Sequence, residues 1–328
     1  MKPKLLIVEL WGLGDLVIAT PFIRAAAEKF DVTVLAKPYA KDLQKAFWPG
    51  VTVIPFTAPW TAFKHKYCLW KWPWKSFWRL NQQRKIQFDI GVSARWDPRD
   101  HLLMTLLRVK QRAGFPRIGS QIFLTKPMER PEPISHRYEY WRALAQGLGL
   151  KLPDFETVFR DFPQANGHQV MIHSGAGQPV RVWPLERYQA LAIHLRQQGY
   201  EVQIACDLDQ QRWWRDAGEQ KVIAPGNVSE LISIINQAGV FIGNDSGPGH
   251  LAAVAGVPTF TLFGPQLHEW FRPMHPDAEV IEGKPCPYKP CSDYCRFSWP
   301  ICLHGITETE VLGRAQAFVQ RHLGIAGR

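Results

Sequence analysis

The sequence predicts an α/β fold made of two doubly wound domains, and three observations carry that expectation. Short apolar runs alternate with helix-compatible segments along the chain, the rhythm of sheets covered by helices. Two of these runs, residues 4–10 and 169–173, each end in a glycine turn, so the pattern starts twice. At 328 residues the chain has room for two domains of ordinary size. The irregular stretch 153–167 reads as their connection, giving an expected first domain of residues 1–160 and a second of 161–328.

In the first half, the run 4–10 leads into Trp11-Gly12-Leu13-Gly14-Asp15-Leu16 and a helix to Phe30, with Leu16, Ile23, Ala27 and Phe30 on one face and a kink expected at Pro21. The glycines resemble a dinucleotide fingerprint, but Val17 holds the third glycine position and no acidic residue ends the next strand, 32–36. A nicotinamide or flavin site is therefore not expected. The turn instead sets Asp15 at the carboxyl edge of the first strand, where open α/β sheets keep their ligands. A carboxylate there serves equally as a general base or as a helix cap, and spacing leaves both open.

From Trp60 to Lys85 the composition shifts. Trp60, Trp70, Trp72, Trp74 and Trp78 interleave with Lys64, Lys66, Lys71, Lys75, Arg79, Arg84 and Lys85, without an acidic residue. Indoles favour the membrane–water boundary and cations are drawn to anionic headgroups, so a membrane or lipid contact is the first reading. A solvated basic helix face comes second and single-stranded nucleic acid a distant third. A strand at 88–92 follows, with Arg95, Asp97, Arg99 and Asp100 beyond its end, and then a helix at 137–147.

The second half repeats the plan. The strand 169–173 ends in Ser174-Gly175-Ala176-Gly177, and Arg181-Val182-Trp183-Pro184 leads a helix to Gln198 with proline in its first turn. The strand 200–205 precedes Asp207-Leu208-Asp209, an acidic pair that suits either a divalent metal or a ribose hydroxyl. After a helix at 229–236, the run 240–243 opens into Asn244-Asp245-Ser246-Gly247-Pro248-Gly249-His250, followed by a small-residue helix from Leu251 that Gly256 and Pro258 stop. Such a turn leaves helix amides facing outward for an anion. Ser246, Gly247 and His250 can donate to phosphate, whereas Asp245 repels it and suits sugar hydroxyls. The plain alternative is an ordinary Asp or Ser cap. The last helix, 308–322, is free to pack on either domain.

Composition bounds the function. The chain is 46% hydrophobic and 21% charged, a globular balance, and no apolar stretch is long enough to span a membrane. Glu9 and Asp15 interrupt what would otherwise read as a signal peptide, so a cytoplasmic protein is expected. The net charge of +10 calls for an anionic partner. No nucleic-acid module is present, which favours an anionic lipid or glycolipid. Of six cysteines, Cys286, Cys291, Cys295 and Cys302 cluster. Their spacing is not that of a zinc ribbon, so reduced packing cysteines or a structural metal site are the open readings.

Four stretches carry a family resemblance: Gly12-Leu13-Gly14-Asp15 with Thr20-Pro21; His173-Ser174-Gly175-Ala176 with Arg181-Val182-Trp183-Pro184; Asp245-Ser246-Gly247 through Ala253 with Phe263-Gly264-Pro265; and Cys295 with Cys302-Leu303 and Ile306-Thr307. In this order, over nearly the whole chain, they resemble glycosyltransferase family 9, the bacterial heptosyltransferases of the lipopolysaccharide core. The resemblance implies a GT-B architecture, two facing Rossmann-like domains with a cleft between. It implies inverting, metal-independent transfer of heptose from ADP-heptose to an anionic glycolipid, the lipid A–Kdo core, with no cofactor required. The enzyme would be peripheral on the cytoplasmic face of the inner membrane, without a nucleic-acid partner.

By the same resemblance Asp15 stands at the proposed base, and Arg181, Asp245, Ser246, Gly247 and His250 stand at the donor. Ser174 and Gly175 are further donor candidates, as is Asp209, although the loop 207–211 departs from the acidic pattern expected at the ribose; the acceptor candidates are Gly14, Lys64, Lys71, Arg95 and Arg99. Arg181 stands where members commonly carry lysine, which exchanges a point donor for a planar fork. Two rivals fit the same residues: a GT-B transferase or epimerase on another nucleotide sugar, and a non-catalytic membrane-surface scaffold.

Overall fold

Near-continuous runs such as Leu5-Leu6-Ile7-Val8 cannot expose an alternate face, so they form strands covered on both sides. A computed structural model describes residues 2–61, 78, 80–82, 85–162 and 164–324. The chain divides into two units, Met1–Pro153 and Asp154–Arg328.

The first unit holds β1 (Lys4–Val8), α1 (Leu13–Lys29), β2 (Asp31–Ala36), α2 (Ala40–Phe47), β3 (Thr52–Pro55), β4 (Ile90–Ser93), α3 (Pro98–Leu106), β5 (Gln111–Gly114), β6 (Lys126–Pro127) and α4 (Arg137–Gly147). Its sheet is parallel in the order β3-β2-β1-β4-β5-β6. Strand order therefore reverses between β1 and β4, where side chains from the two carboxyl ends meet. Helix α1 runs through Pro21. The neighbouring Thr20 hydroxyl donates to the Leu16 carbonyl and accepts from the Trp48 indole, so polar groups beside the proline are paired inside the fold. Phe22 of α1 meets Trp141 of α4 at 5.0 Å between ring centres.

The second unit holds β7 (Gln169–His173), α5 (Leu185–Gln197), β8 (Val202–Ala205), α6 (Gln211–Asp216), α7 (Val228–Ile235), β9 (Ala238–Asn244), α8 (Gly247–Val254), β10 (Thr259–Phe263), α9 (His268–Phe271), β11 (Glu279–Glu282), α10 (Ile301–His304) and α11 (Glu308–Leu323). Its parallel sheet runs β11-β10-β9-β7-β8, reversing between β7 and β9. Phe318 and Val319 of α11 are buried in one core with Val170, Ile242 and Phe260, so the last helix closes this unit's own sheet.

Two boundaries differ from expectation. Pro184 is the cap of α5 and lies just outside its first turn. Helix α8 starts at Gly247, four residues before Leu251, because Pro248 falls in the first turn, where its missing N–H has no partner to lose.

Candidate functional site

The first unit gathers its charges at the reversal between β1 and β4. Asp15 lies in the first turn of α1, where one carboxylate oxygen accepts the Gly12 N–H at 2.9 Å, the capping arrangement. The other accepts from Arg95 Nη2 at 2.7 Å, and Arg95 follows β4. The carboxylate is 17% exposed. Trp11 organises the turn beneath it. Its N–H donates to Glu9 at 3.2 Å, its carbonyl accepts from the Tyr39 hydroxyl at 2.9 Å, and the Arg95 guanidinium lies 4.8 Å from its ring centre.

Sequence reasoning missed the buried charges behind this turn. Glu9 is 1% exposed, and burial first, then the Asp15 charge, push its carboxyl up to about 7 against the pull of Arg95 and Lys37. Burial draws the Lys37 ammonium down, and its Nζ donates to the Thr61 carbonyl. Burial, with the charges of Asp97 and Glu9, raises Asp100, which accepts from the Ser93 hydroxyl. The available signal was Glu9 itself, a carboxylate ending an otherwise apolar strand.

Among the acceptor candidates, Arg95 is the cation that reaches Asp15. Arg99 instead forks onto Asp97 at 2.8 and 2.6 Å, the carboxylate that also caps α3, and lies over the Trp60 ring. Gly14 sits in the first turn of α1 beside Asp15. Lys64 and Lys71, with Trp70, Trp72 and Trp74, lie outside the described residues. Trp78 and Lys85 are exposed.

In the second unit Asn244 ties together the turns at the β7–β9 reversal. Its Nδ2 donates to the Ser174 carbonyl at 2.8 Å, and its Oδ1 accepts from the Trp183 N–H and the Tyr188 hydroxyl at 3.0 and 2.9 Å. The Ser174 hydroxyl is buried, donating to Gln210 and accepting from the Trp214 indole, so it fixes the turn from within. Gly175 has no room for a side chain: a Cβ would stand 2.4 Å from the Asp207 carboxylate. Asp207, and not the exposed Asp209, is thus the acid against the turn.

Arg181 ends a short 3-10 turn, Pro179–Arg181, and lies between two carboxylates. Its Nη1 is 3.3 Å from Asp245, itself 4% exposed, while Nε and Nη2 fork onto Asp293 at 2.7 and 2.9 Å. Asp293 carried no signal in the sequence. Ser246 is the N-cap residue of α8, but it turns its hydroxyl onto the Asn244 carbonyl and makes no side-chain cap on the helix. Gly247 opens α8 half-buried, and His250 is buried on it.

Cys286, Cys291, Cys295 and Cys302 do come together, lining one small cavity with Val180 and Pro265. Burial raises the Cys291 and Cys302 thiols, keeping them protonated. Among the described residues, no group of three or more His, Cys, Asp or Glu side chains is placed to hold a metal ion. Cys68 lies outside those residues.

Comparison with known proteins gives these sites their context. The sequence model of glycosyltransferase family 9 (heptosyltransferase) matches residues 85–298. Lipopolysaccharide heptosyltransferase 1 of Pseudomonas aeruginosa is 25% identical over 313 residues, covering 88% of this chain and 86% of that one. Lipopolysaccharide heptosyltransferase 3 of Escherichia coli is 33% identical over 115 residues, about a third of each chain. The solved Escherichia coli heptosyltransferase WaaC with ADP superposes with a TM-score of 0.74 at 16% identity, covering 96% and 99% of the two chains, and shares the α/β GT-B fold. On the extent of the family match, the chain belongs to glycosyltransferase family 9, the heptosyltransferases, and is a glycosyltransferase whose relatives include lipopolysaccharide heptosyltransferases.

Proposed function

We propose that the chain transfers heptose from ADP-heptose to a lipopolysaccharide core acceptor, with inversion and without a catalytic metal. The observation that carries this reading is Arg181, set against Asp245 at the carboxyl edge of the second sheet beside the outward turn that starts α8. An arginine fork there suits a diphosphate, and the relative solved with ADP supports the choice of nucleotide. Arg181, the Ser246 hydroxyl and the first amides of α8 would stabilise charge on the departing ADP, a preorganised electrostatic contribution. Asp245 and Asp207 would accept from sugar hydroxyls.

Asp15 is the general base of this reading. The acceptor hydroxyl oxygen attacks the anomeric carbon while its proton passes to Asp15. The bond from that carbon to the phosphate oxygen breaks, its electron pair leaves with ADP, and one displacement inverts the centre. The acceptor is an anionic glycolipid of the lipid A–Kdo type, met at the cytoplasmic face of the inner membrane. The net charge of +10, and Lys64 and Lys71 among the tryptophans, favour that surface. No helix among the described residues is long and apolar enough to cross a membrane.

Turnover of ADP-heptose with truncated lipopolysaccharide, followed by mass spectrometry, tests the assignment. Asp15→Asn should lower kcat by about 10²–10⁴-fold with ADP affinity retained. Unchanged turnover at saturating acceptor removes Asp15 as the base, and a thermal shift with UDP but not ADP moves the enzyme to another nucleotide sugar.

A further inference from the structure

Arg181 sets one guanidinium against two carboxylates where the reading above places an incoming diphosphate. The two carboxylates are not equivalent. Asp245 is buried at the end of β9, and its N–H is bonded to the Leu262 carbonyl of β10. Asp293 is 20% exposed and lies on the connection between β11 and α10. Its backbone and that of Ser292 sit in the left-handed region, with φ of 70° and 51°. Residues other than glycine hold that region when surrounding contacts hold them there, and the fork on Arg181 is such a contact. The residue before Arg181 also meets this loop: Val180, Cys291 and Cys295 line the same cavity.

From this arrangement, and resting on the assignment of Arg181 to the donor's phosphates, we infer that Asp293 is a stand-in anion. It occupies the Nε–Nη2 fork of Arg181 and is displaced when the donor's diphosphate takes the same fork. Asp293 is then a positioning residue that opposes donor binding, and the cysteine-bearing loop changes its contacts each time donor enters. Asp245 remains on Nη1 and keeps the guanidinium oriented throughout.

The sign of one substitution separates this role from a merely structural one. Isothermal titration of the full chain with ADP should show Asp293→Asn and Asp293→Ala binding about tenfold tighter than the unsubstituted chain, within the usual range of site-to-site coupling. In an Arg181→Gln background the same substitutions should leave ADP affinity unchanged. Hydrogen exchange on the unsubstituted chain should quicken at residues 286–302 when ADP is added, a readout that needs no variant to fold. Weaker or equal binding by both Asp293 variants overturns the inference, as does exchange that ADP leaves unmoved. If the unsubstituted chain binds no ADP, the donor assignment falls and takes the inference with it; if ADP binds and only the Asp293 effect is missing, the donor assignment stands alone.

Discussion

Arg95 and Asp15 meet across the strand-order reversal of the first sheet, Nη2 to carboxylate oxygen at 2.7 Å, with the Trp11 ring beneath the guanidinium. The pair is partly exposed, so its worth to stability is small, about 0–1 kcal/mol. If Asp15 is the base proposed above, the pair's worth to chemistry is orientation. With Asp15 as the base, Arg95→Ala should lower kcat about 10- to 100-fold while global unfolding stays nearly unchanged. Arg95→Lys should recover part of the loss, keeping charge without the planar stack. Steady-state kinetics at saturating acceptor, paired with urea unfolding, checks both halves.

Glu9 should make stability depend on pH. Its carboxyl sits at about 7 in the fold, against 4.5 for the free group. Between these values the folded chain keeps a proton that the unfolded chain has lost. Stability therefore falls as pH rises through this window and levels off above 7. Glu9→Gln should flatten the profile and be the more stable form at pH 8, by at most about 3 kcal/mol. Urea titrations at pH 5, 6, 7 and 8 on both chains provide the comparison.

Asn244→Ala should strike fold and site together. It removes the acceptor of the Trp183 N–H and the Tyr188 hydroxyl, and the donor to the Ser174 carbonyl, all buried. Each buried group left unsatisfied costs about 1–3 kcal/mol, so a loss of roughly 3 kcal/mol or more is expected. ADP affinity should fall as well, because the Ser174 and Trp183 turns lose their common tie. Thermal unfolding with and without ADP reads the two effects separately.

Gly283 and Gly313 should respond in opposite directions to alanine. A Cβ at Gly283 would lie 1.9 Å from the Cys302 carbonyl oxygen, a backbone atom that moves only with the start of α10. Overpacking of this kind costs about 1–3 kcal/mol. Around Gly313, inside α11, there is nothing within 4 Å, so alanine there should stabilise by about 0.5–1 kcal/mol. Chemical denaturation of the two variants gives the contrast.

Local pattern and long-range pairing differ in what the sequence discloses. The strand at Gln169–His173 and the helix at Arg137–Gly147 follow from apolar runs between clear breakers, and lie where the residues alone put them. The segments α2, α3 and α6 carry little signal because they are short, nine residues or fewer. In the two sites, one in each unit, Asp15, Arg181 and Asp245 could be named because each stands in a recognisable turn. Asp293 could not, because 112 residues separate it from the arginine it grips. Glu9 and Asn244 were visible as letters, yet burial and three-way hydrogen bonding arise only once strands distant in sequence lie side by side.

The placement of α11 bears on how the chain is made. The first sheet has its last strand by Pro127, so that half can close early during translation. The second cannot. Phe318 and Val319 cover strands synthesised some 60 to 150 residues earlier, leaving Val170, Ile242 and Phe260 without their lid until the final helix clears the ribosome. At about 15 residues per second that apolar face stays uncovered for about ten seconds, long enough to make it a client for chaperones.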